Sequence, residues 1–254
     1  MSWFTALNNH CGLMHAREGV PCQDAAKVQV LPGDVLVGVI ADGAGSASRA
    51  AEGARIVVRE GLAYLEKIAH HRASHKDFED IALKVQRALR SHADKVKCSI
   101  SHFASTFIAF IATPSSIKAV QVGDGFLVIS GAQGGYELLV EPLQKAHANE
   151  TDFITDSDLS QKIQYGARNY RPNFIAGSTD GLENVAIIYQ NQTPHEGFFR
   201  PFEQFIRTET DVSLAEQEIQ KFLSSERLAQ RSSDDKTLLL CGWQENEGKS
   251  RKVG

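Results

Sequence analysis

Three times in this 254-residue chain a short apolar, strand-like run ends in Asp-Gly: at Asp42-Gly43, at Asp124-Gly125 and at Asp180-Gly181. Asp24 and the pair Asp234-Asp235 flank two further strand-like segments. A single Asp-Gly pair is ordinary turn chemistry, because both residues tolerate the backbone angles of tight turns. That accounts well for Asp124. It accounts poorly for Asp42, since the residues that follow, AGSASRAAEGA, are too many and too small for a hairpin and lead into a helical pattern. Aspartates gathered from several strand ends offer a second chemistry. Hard divalent cations such as Mg2+ and Mn2+ take carboxylate, backbone carbonyl and water oxygens, and clustered carboxylates repel unless a cation lies between them. Glycine after the aspartate lets the backbone come close enough for its carbonyl to join. Whether these aspartates meet depends on the elements that carry them.

Residues 35–40 (VLVGVI) form a short, β-branched apolar run that reads as a buried strand delivering Asp42 to its end. Ser48 is placed to cap a following helix with Ala54, Val58, Leu62 and Leu65 at helical spacing. A second amphipathic helix is marked by Phe78, Ile81, Ala82, Val85 and Leu89, and the two are expected to pair. From Phe103 onward the texture is that of strands, read as a β meander: FASTFIAFIAT, then 117–122, 126–130 and 136–140. Residues 141–170 are polar and weakly periodic and read as a mobile surface flap. Strand character returns at 174–178 and 237–241, with a helix at 214–223 between them. Helix pairs interrupting runs of strands favour an α+β fold of mainly antiparallel sheets. One domain is expected over 1–245, followed by a solvated tail at 246–254.

The bulk properties narrow the function. A formal charge of −4 with interspersed signs gives no basic stripe for nucleic-acid phosphates. No run approaches the roughly 20 apolar residues of a membrane helix, and no export signal opens the chain. Cys11, Cys22, Cys98 and Cys241 are scattered, which argues against a disulfide framework and suits a reducing cytoplasm. Zinc held by Cys11, His15 and Cys22 is a minor alternative, for the spacing is irregular and a fourth ligand is missing. No Gly-x-Ser-x-Gly turn marks a serine nucleophile, and the GAGS loop lacks the Gly-Lys-Ser/Thr ending of a nucleotide-binding loop.

Five short motifs occur in order: QDA at 23–25, ADGAGS at 41–46, VGDG at 122–125, STDGLEN at 178–184 and SDDKT at 233–237. Together they resemble the ordered motifs of the type 2C, metal-dependent protein phosphatases, in particular a divergent bacterial branch with an HxRxGxPCQD opening, here at 15–24. The resemblance implies a two-sheet, mainly antiparallel β-sandwich flanked by pairs of helices, a four-layer αββα fold. It also implies two Mn2+ or Mg2+ ions, with a third conceivable, that activate a water for in-line attack on a phosphoserine or phosphothreonine. By resemblance Asp42 bridges both ions with the Gly43 carbonyl beside it, Asp180 and Asp234 complete the first ion, and Asp24 steadies water at the second. Asp235 is then a neighbour of the ligand set, and Asp124 belongs to the third position. Arg17 is the first candidate for holding phosphate, and His15 the competitor, which would also suit protonation of the leaving alkoxide.

Three residues depart from the family pattern. Gln23 stands in place of glutamate, Ala47 in place of histidine and Asn184 in place of aspartate. They motivate the alternative of a catalytically impaired, phosphatase-like binding or regulatory module. Retention of Asp42, Gly43, Asp180 and Asp234 favours an enzyme. The implied setting is a cytoplasmic monomer acting on a phosphorylated protein, opposite a cognate serine/threonine kinase.

Overall fold

The computed structural model describes residues 2–69, 73–141 and 151–244. In chain order its strands are β1 (Ser2–His10), β2 (Asp24–Leu31), β3 (Val35–Asp42), β4 (Phe107–Thr113), β5 (Ser116–Val122), β6 (Phe126–Ser130), β7 (Tyr136–Leu138), β8 (Gln164–Arg168), β9 (Phe174–Ser178), β10 (Ile187–Ile188), β11 (Thr193–Pro194) and β12 (Lys236–Gln244). The helices are α1 (Leu13–Glu18), α2 (Ala50–Ile68), α3 (His75–Lys95), α4 (Glu183–Ala186), α5 (Glu196–Thr208), α6 (Val212–Leu223) and α7 (Glu226–Ala229). The long strands form two five-stranded sheets, ordered β1-β12-β9-β6-β7 and β2-β3-β4-β5-β8. Every pairing among the described strands is antiparallel.

Side chains of a strand point alternately to its two faces, and here both faces of the central strands are covered. Val37, Val39 and Ala41 of β3 pack under α2 and α3, while Leu36 and Ile40 enter the core between the sheets. In β12, Leu238 and Leu240 face the α5–α6 layer, and Leu239 and Cys241 face the opposite sheet. This double burial is why 35–40 reads as a continuous apolar run, and it produces the expected αββα layering. Among the described residues no helix is long and apolar enough to cross a membrane.

Several local expectations change. Ser48 does not cap α2, which begins at Ala50 without a side-chain cap. Its hydroxyl meets His102 Nδ1 at 3.1 Å instead, and the Arg49 N–H bonds the His102 carbonyl. The strand expected from Phe103 begins at Phe107, because Ile100–Phe103 is a 3-10 turn. The meander is two hairpins in different sheets, joined where 123–125 carries the chain across from β5 to β6.

The stretch expected to be a surface flap is largely part of the body. Gln164–Arg168 is an edge strand on β5, and Ile154 and Leu159 are buried under the α2–α3 layer. Its acidic residues read as solvated in the sequence, yet Lys162 gathers Asp152, Asp156 and Asp158 within 3.4 Å. Residues 142–150 of that stretch, and the tail, lie outside the described residues.

Helix α2 is pressed against the turn that leads to the cleft. A Cβ on Gly53 would lie 2.4 Å from the Phe103 carbonyl oxygen. Alanine favours an open helix by about 1 kcal/mol over glycine, but here the backbone would have to yield, at a cost of about 1–3 kcal/mol. Gly53→Ala should therefore lower the urea midpoint; an unchanged or higher midpoint would show that the 100–103 turn gives way freely.

Candidate metal centre

The sandwich brings the aspartates to one end. In the β2–β3 ladder Asp24 is the register partner of Asp42, so both stand at one end of this antiparallel pair. Asp42 is held by its own backbone: its N–H donates to Thr106 Oγ1 at 2.9 Å and its carbonyl accepts from the Thr106 N–H at 2.8 Å. Gly43 is buried, and its N–H donates to the Gln23 carbonyl. Asp180 follows β9 in the other sheet, and Asp234 precedes β12. Asp124 sits at the crossing between the sheets, in a turn whose flanking glycines have φ of 91° and 86°. The Gln121 amide fixes that turn by donating to the carbonyls of Gly123 and Gly125. Asp42, Gly43, Asp124, Asp180 and Asp234 all line one cleft of about 220 Å3, together with His15 and Gln23.

The electrostatics of the cleft are unfavourable as it stands. Burial raises the Asp42 carboxyl well above the usual carboxylate range, and the charges of Asp24 and Asp180 raise it further. Asp42 and Asp180 each perturb the other's titration, so two acids meet where a cation's charge would serve. Burial pushes Asp24 up to about 7 despite two hydroxyls donating to it, with Asp235 and Asp180 adding to the rise. The buried Oδ1 atoms of Asp24 and Asp180, and Gln23 Oε1, have no hydrogen-bond partner. Unpaired buried acceptors of this kind are costly unless a ligand meets them.

Among the described residues no three acidic, His or Cys side chains already close into a metal cage. They ring an open cleft instead, which suits ions that hold a few carboxylates and keep several waters. The donor set, all oxygen and rich in charge, fits Mg2+ or Mn2+ rather than zinc. Cys11 turns to the Val20 carbonyl, and the four cysteines are free.

The two adjacent aspartates divide their tasks. Asp234 is exposed to the cleft, whereas Asp235 is 2 % exposed and takes the N–H groups of Gly12 and Gln23 at 2.6 Å each and His15 Nδ1 at 3.0 Å. These donors outweigh burial and hold the Asp235 carboxyl below its ordinary value. Asp235 thus ties the segment at 12–23 to the start of β12. It leaves Nε2 of His15 as the ring nitrogen free for a ligand. Arg17 is exposed on α1 and is not part of the cleft lining. Asn184 lines a different depression.

Four further residues stand around the acids. Thr179 and Thr237 donate to Asp24 Oδ2 at 2.7 and 2.8 Å. Lys236 is 1 % exposed, and its Nζ donates to the Asp234 carbonyl at 2.6 Å. Burial, then Asp124 and Asp180, push Glu183 up to about 7. All four lie within the motifs STDGLEN and SDDKT, so their positions are legible in the sequence, whereas their burial and partners come only from the fold.

Comparison with known proteins agrees with this geometry. The family model described as "Protein phosphatase 2C" matches residues 11–224. "Serine/threonine-protein phosphatase 3" of Escherichia coli K12 is 32 % identical over 254 residues, spanning 96 % of this chain and 100 % of its own length. The catalytic domain of the serine/threonine protein phosphatase PstP, solved with two manganese ions, superposes with a TM-score of 0.67 at 13 % identity, covering 96 % of this chain and 99 % of that one. Stp1 from Staphylococcus aureus gives 0.62 at 12 % identity, covering 95 % of each chain. The chain belongs to the protein phosphatase 2C family.

Proposed function

We propose that this protein hydrolyses phosphoserine and phosphothreonine on proteins with the help of two Mn2+ or Mg2+ ions, as a cytoplasmic monomer opposing a serine/threonine kinase. The observation that carries the reading is the meeting of Asp42, Asp180 and Asp234, remote in the chain, in one cleft with more acid than it compensates. Asp42, the Gly43 carbonyl, Asp180 and Asp234 would hold the first ion, and Asp42 with Asp24 nearby would serve the second. Asp124 borders a third position, with one oxygen taken by the Thr151 hydroxyl at 2.7 Å. When bound, the ions supply Lewis-acid activation of water and neutralise charge on the phosphoryl oxygens.

The chain's own residues do the rest. Two threonines orient Asp24 so that its free Oδ1 is a fixed acceptor for water. His15, anchored through Nδ1, presents Nε2 to a phosphoryl oxygen or to the departing alkoxide, a role that His15 fits better than the exposed Arg17. The Asp234 carbonyl, clamped by Lys236, holds the loop before β12 in place beside the cleft.

Three outcomes test this. Mn2+-dependent hydrolysis of a phosphothreonine peptide should fall more than about 100-fold in Asp42→Ala; metal-replete wild-type protein with no turnover on peptide or aryl phosphate would instead favour the binding-module alternative. His15→Ala should slow the phosphopeptide about 100-fold and an aryl phosphate much less, since the aryl leaving group needs no proton. A larger peptide loss in Arg17→Ala would return the role to Arg17.

The third outcome concerns pH. Folded-state carboxyl values raised above the unfolded value of about 3.9 mean that the metal-free fold loses stability as pH rises from about 4 towards the folded values, which for Asp24 is about 7. Cations relieve that penalty. The rise in melting temperature on replacing chelator with Mn2+ should accordingly be larger at pH 7.5 than at pH 5.5, and an equal rise at both would count against the carboxylates as ligands.

A further inference from the structure

The layer formed by α4 to α7 contains a second depression, of about 850 Å3, which the hydrolytic reading leaves unused. Helix α4 connects it to the metal cleft. Glu183 stands in the field of Asp124 and Asp180, and the next residue, Asn184, already lines the groove. Asn184 is only four positions beyond Asp180, so the groove begins within about 14 Å of Asp180.

Its floor is aromatic. Phe198 and Phe202 of α5 meet Phe222 of α6 with ring centroids 5.1 to 5.8 Å apart, tilted or edge-on. All three rings remain half-buried, although rings packed in this way normally close a core. At the rim Ile188 is 38 % exposed, and its neighbour Tyr189 is 82 % exposed. An aromatic floor continued onto exposed apolar residues of a hairpin is the kind of surface that marks an interaction site.

The charges of the lining have one sign. Arg227 and Arg231 border the groove with His195, and no carboxylate joins them. Neither guanidinium has an ion-pair or hydrogen-bond partner among the described residues. Over the whole chain the formal charge is −4, so this basic rim stands out from an acidic molecule. Arginine forks pair with carboxylates in two-point fashion, and an aromatic floor supplies the desolvated centre that dominates an interface.

We propose that this groove docks an acidic segment, carrying an aromatic or branched apolar anchor, of the same phosphoprotein whose phosphoserine or phosphothreonine enters the metal cleft. The proposal rests on the phosphatase reading. A substrate of that form would be selected by residues displaced from the phosphorylated one, with about five extended residues spanning the gap. The metal cleft, itself acidic, is then relieved of selecting against acidic substrates.

Three phosphothreonine peptides test the proposal: a short core, the core with a spacer and a tail of Glu, Asp and Phe, and the core with the same spacer and a tail of Lys and Phe. The tail is placed on either side of the phosphothreonine, since the direction of the bound chain is set by the groove. In one of the two directions kcat/KM for the acidic tail should exceed that of the core about tenfold, through KM. The ratio should fall to about one in Phe202→Ala and in the double variant Arg227→Glu with Arg231→Glu, and the double variant should prefer the lysine tail. If Phe202→Ala misfolds, the exposed arginine pair carries the test. Aryl phosphate turnover by wild-type protein reports on the cleft alone: its absence would sink the phosphatase reading itself. Intact aryl phosphate turnover with equal kcat/KM for all peptides, or a tenfold ratio that survives both variants, would overturn docking. So would a dimer in sedimentation that the arginine variant dissociates while the peptides stay equivalent, since a second copy would then be the occupant.

Discussion

Everything at the working end of this fold depends on carboxylates held close together against their own repulsion. Asp24 and Asp42 are register partners, so the ladder between β2 and β3 forces two acids side by side, and β9 and β12 bring Asp180 and Asp234 against them. Beside these four stands a fifth aspartate whose own hydrogen bonds are met. Asp235 takes two N–H groups and His15, and those charge-assisted bonds fasten the N-terminal loop to β12. The site is therefore a frustrated group of acids beside a satisfied one. A cation removes the frustration, and metal binding is then also a contribution to the stability of this end of the sandwich.

The rigidity behind that arrangement comes from strands buried on both faces. β3 and β12 each divide their side chains between the inter-sheet core and a helical layer, so neither shifts register without moving apolar groups into the wrong layer. Asp42 and Asp235 lie at the ends of these two strands. The acids are thereby set by the best-packed elements of the chain, while the Gly123-Asp124-Gly125 turn, which only crosses between sheets, carries the more peripheral Asp124.

Much of this was legible in the sequence, for reasons that differ by element. The strands 126–130 and 174–178 match their observed bounds because short apolar runs stopped by Asp-Gly or Ser-Thr-Asp leave little choice. The stripe of Phe78, Ile81, Val85 and Leu89 is buried as its spacing requires. The order of the motifs gave the aspartates of the cleft as a set. Helix α5 leaves a weak local pattern because Gly197 and Pro201 interrupt it, although tertiary burial of Phe199 and Ile206 overrides both. β1 carries little local signal because its polar residues alternate weakly and its stability comes from nine paired positions on β12, a long-range contact that no local pattern reports. The choice between Arg17 and His15 likewise needed the fold: α1 leaves the arginine exposed, and only Asp235, more than 200 residues on in the chain, fixes the histidine.

The departures from the family pattern acquire a physical meaning from the same contacts. Gln23 loses a charge, but its backbone still donates to Asp235 and accepts from Gly43, and its Oε1 remains a buried acceptor without a partner. An amide oxygen in that place keeps a donor atom for a hard cation while contributing no attraction at long range. Lys236 acts in the same direction, as a buried positive charge among Asp24, Asp234 and Asp235. On the proposed assignment, an uncharged Gln23 and a buried positive Lys236 weaken the field that draws the second ion, while Asp42, Asp180 and Asp234 remain for the first. On that assignment the electrostatics separate the two positions: the first is bordered by the strongly raised Asp42 and the unpaired Asp180 Oδ1, and the second, with less charge around it, fills according to how much cation the surroundings supply.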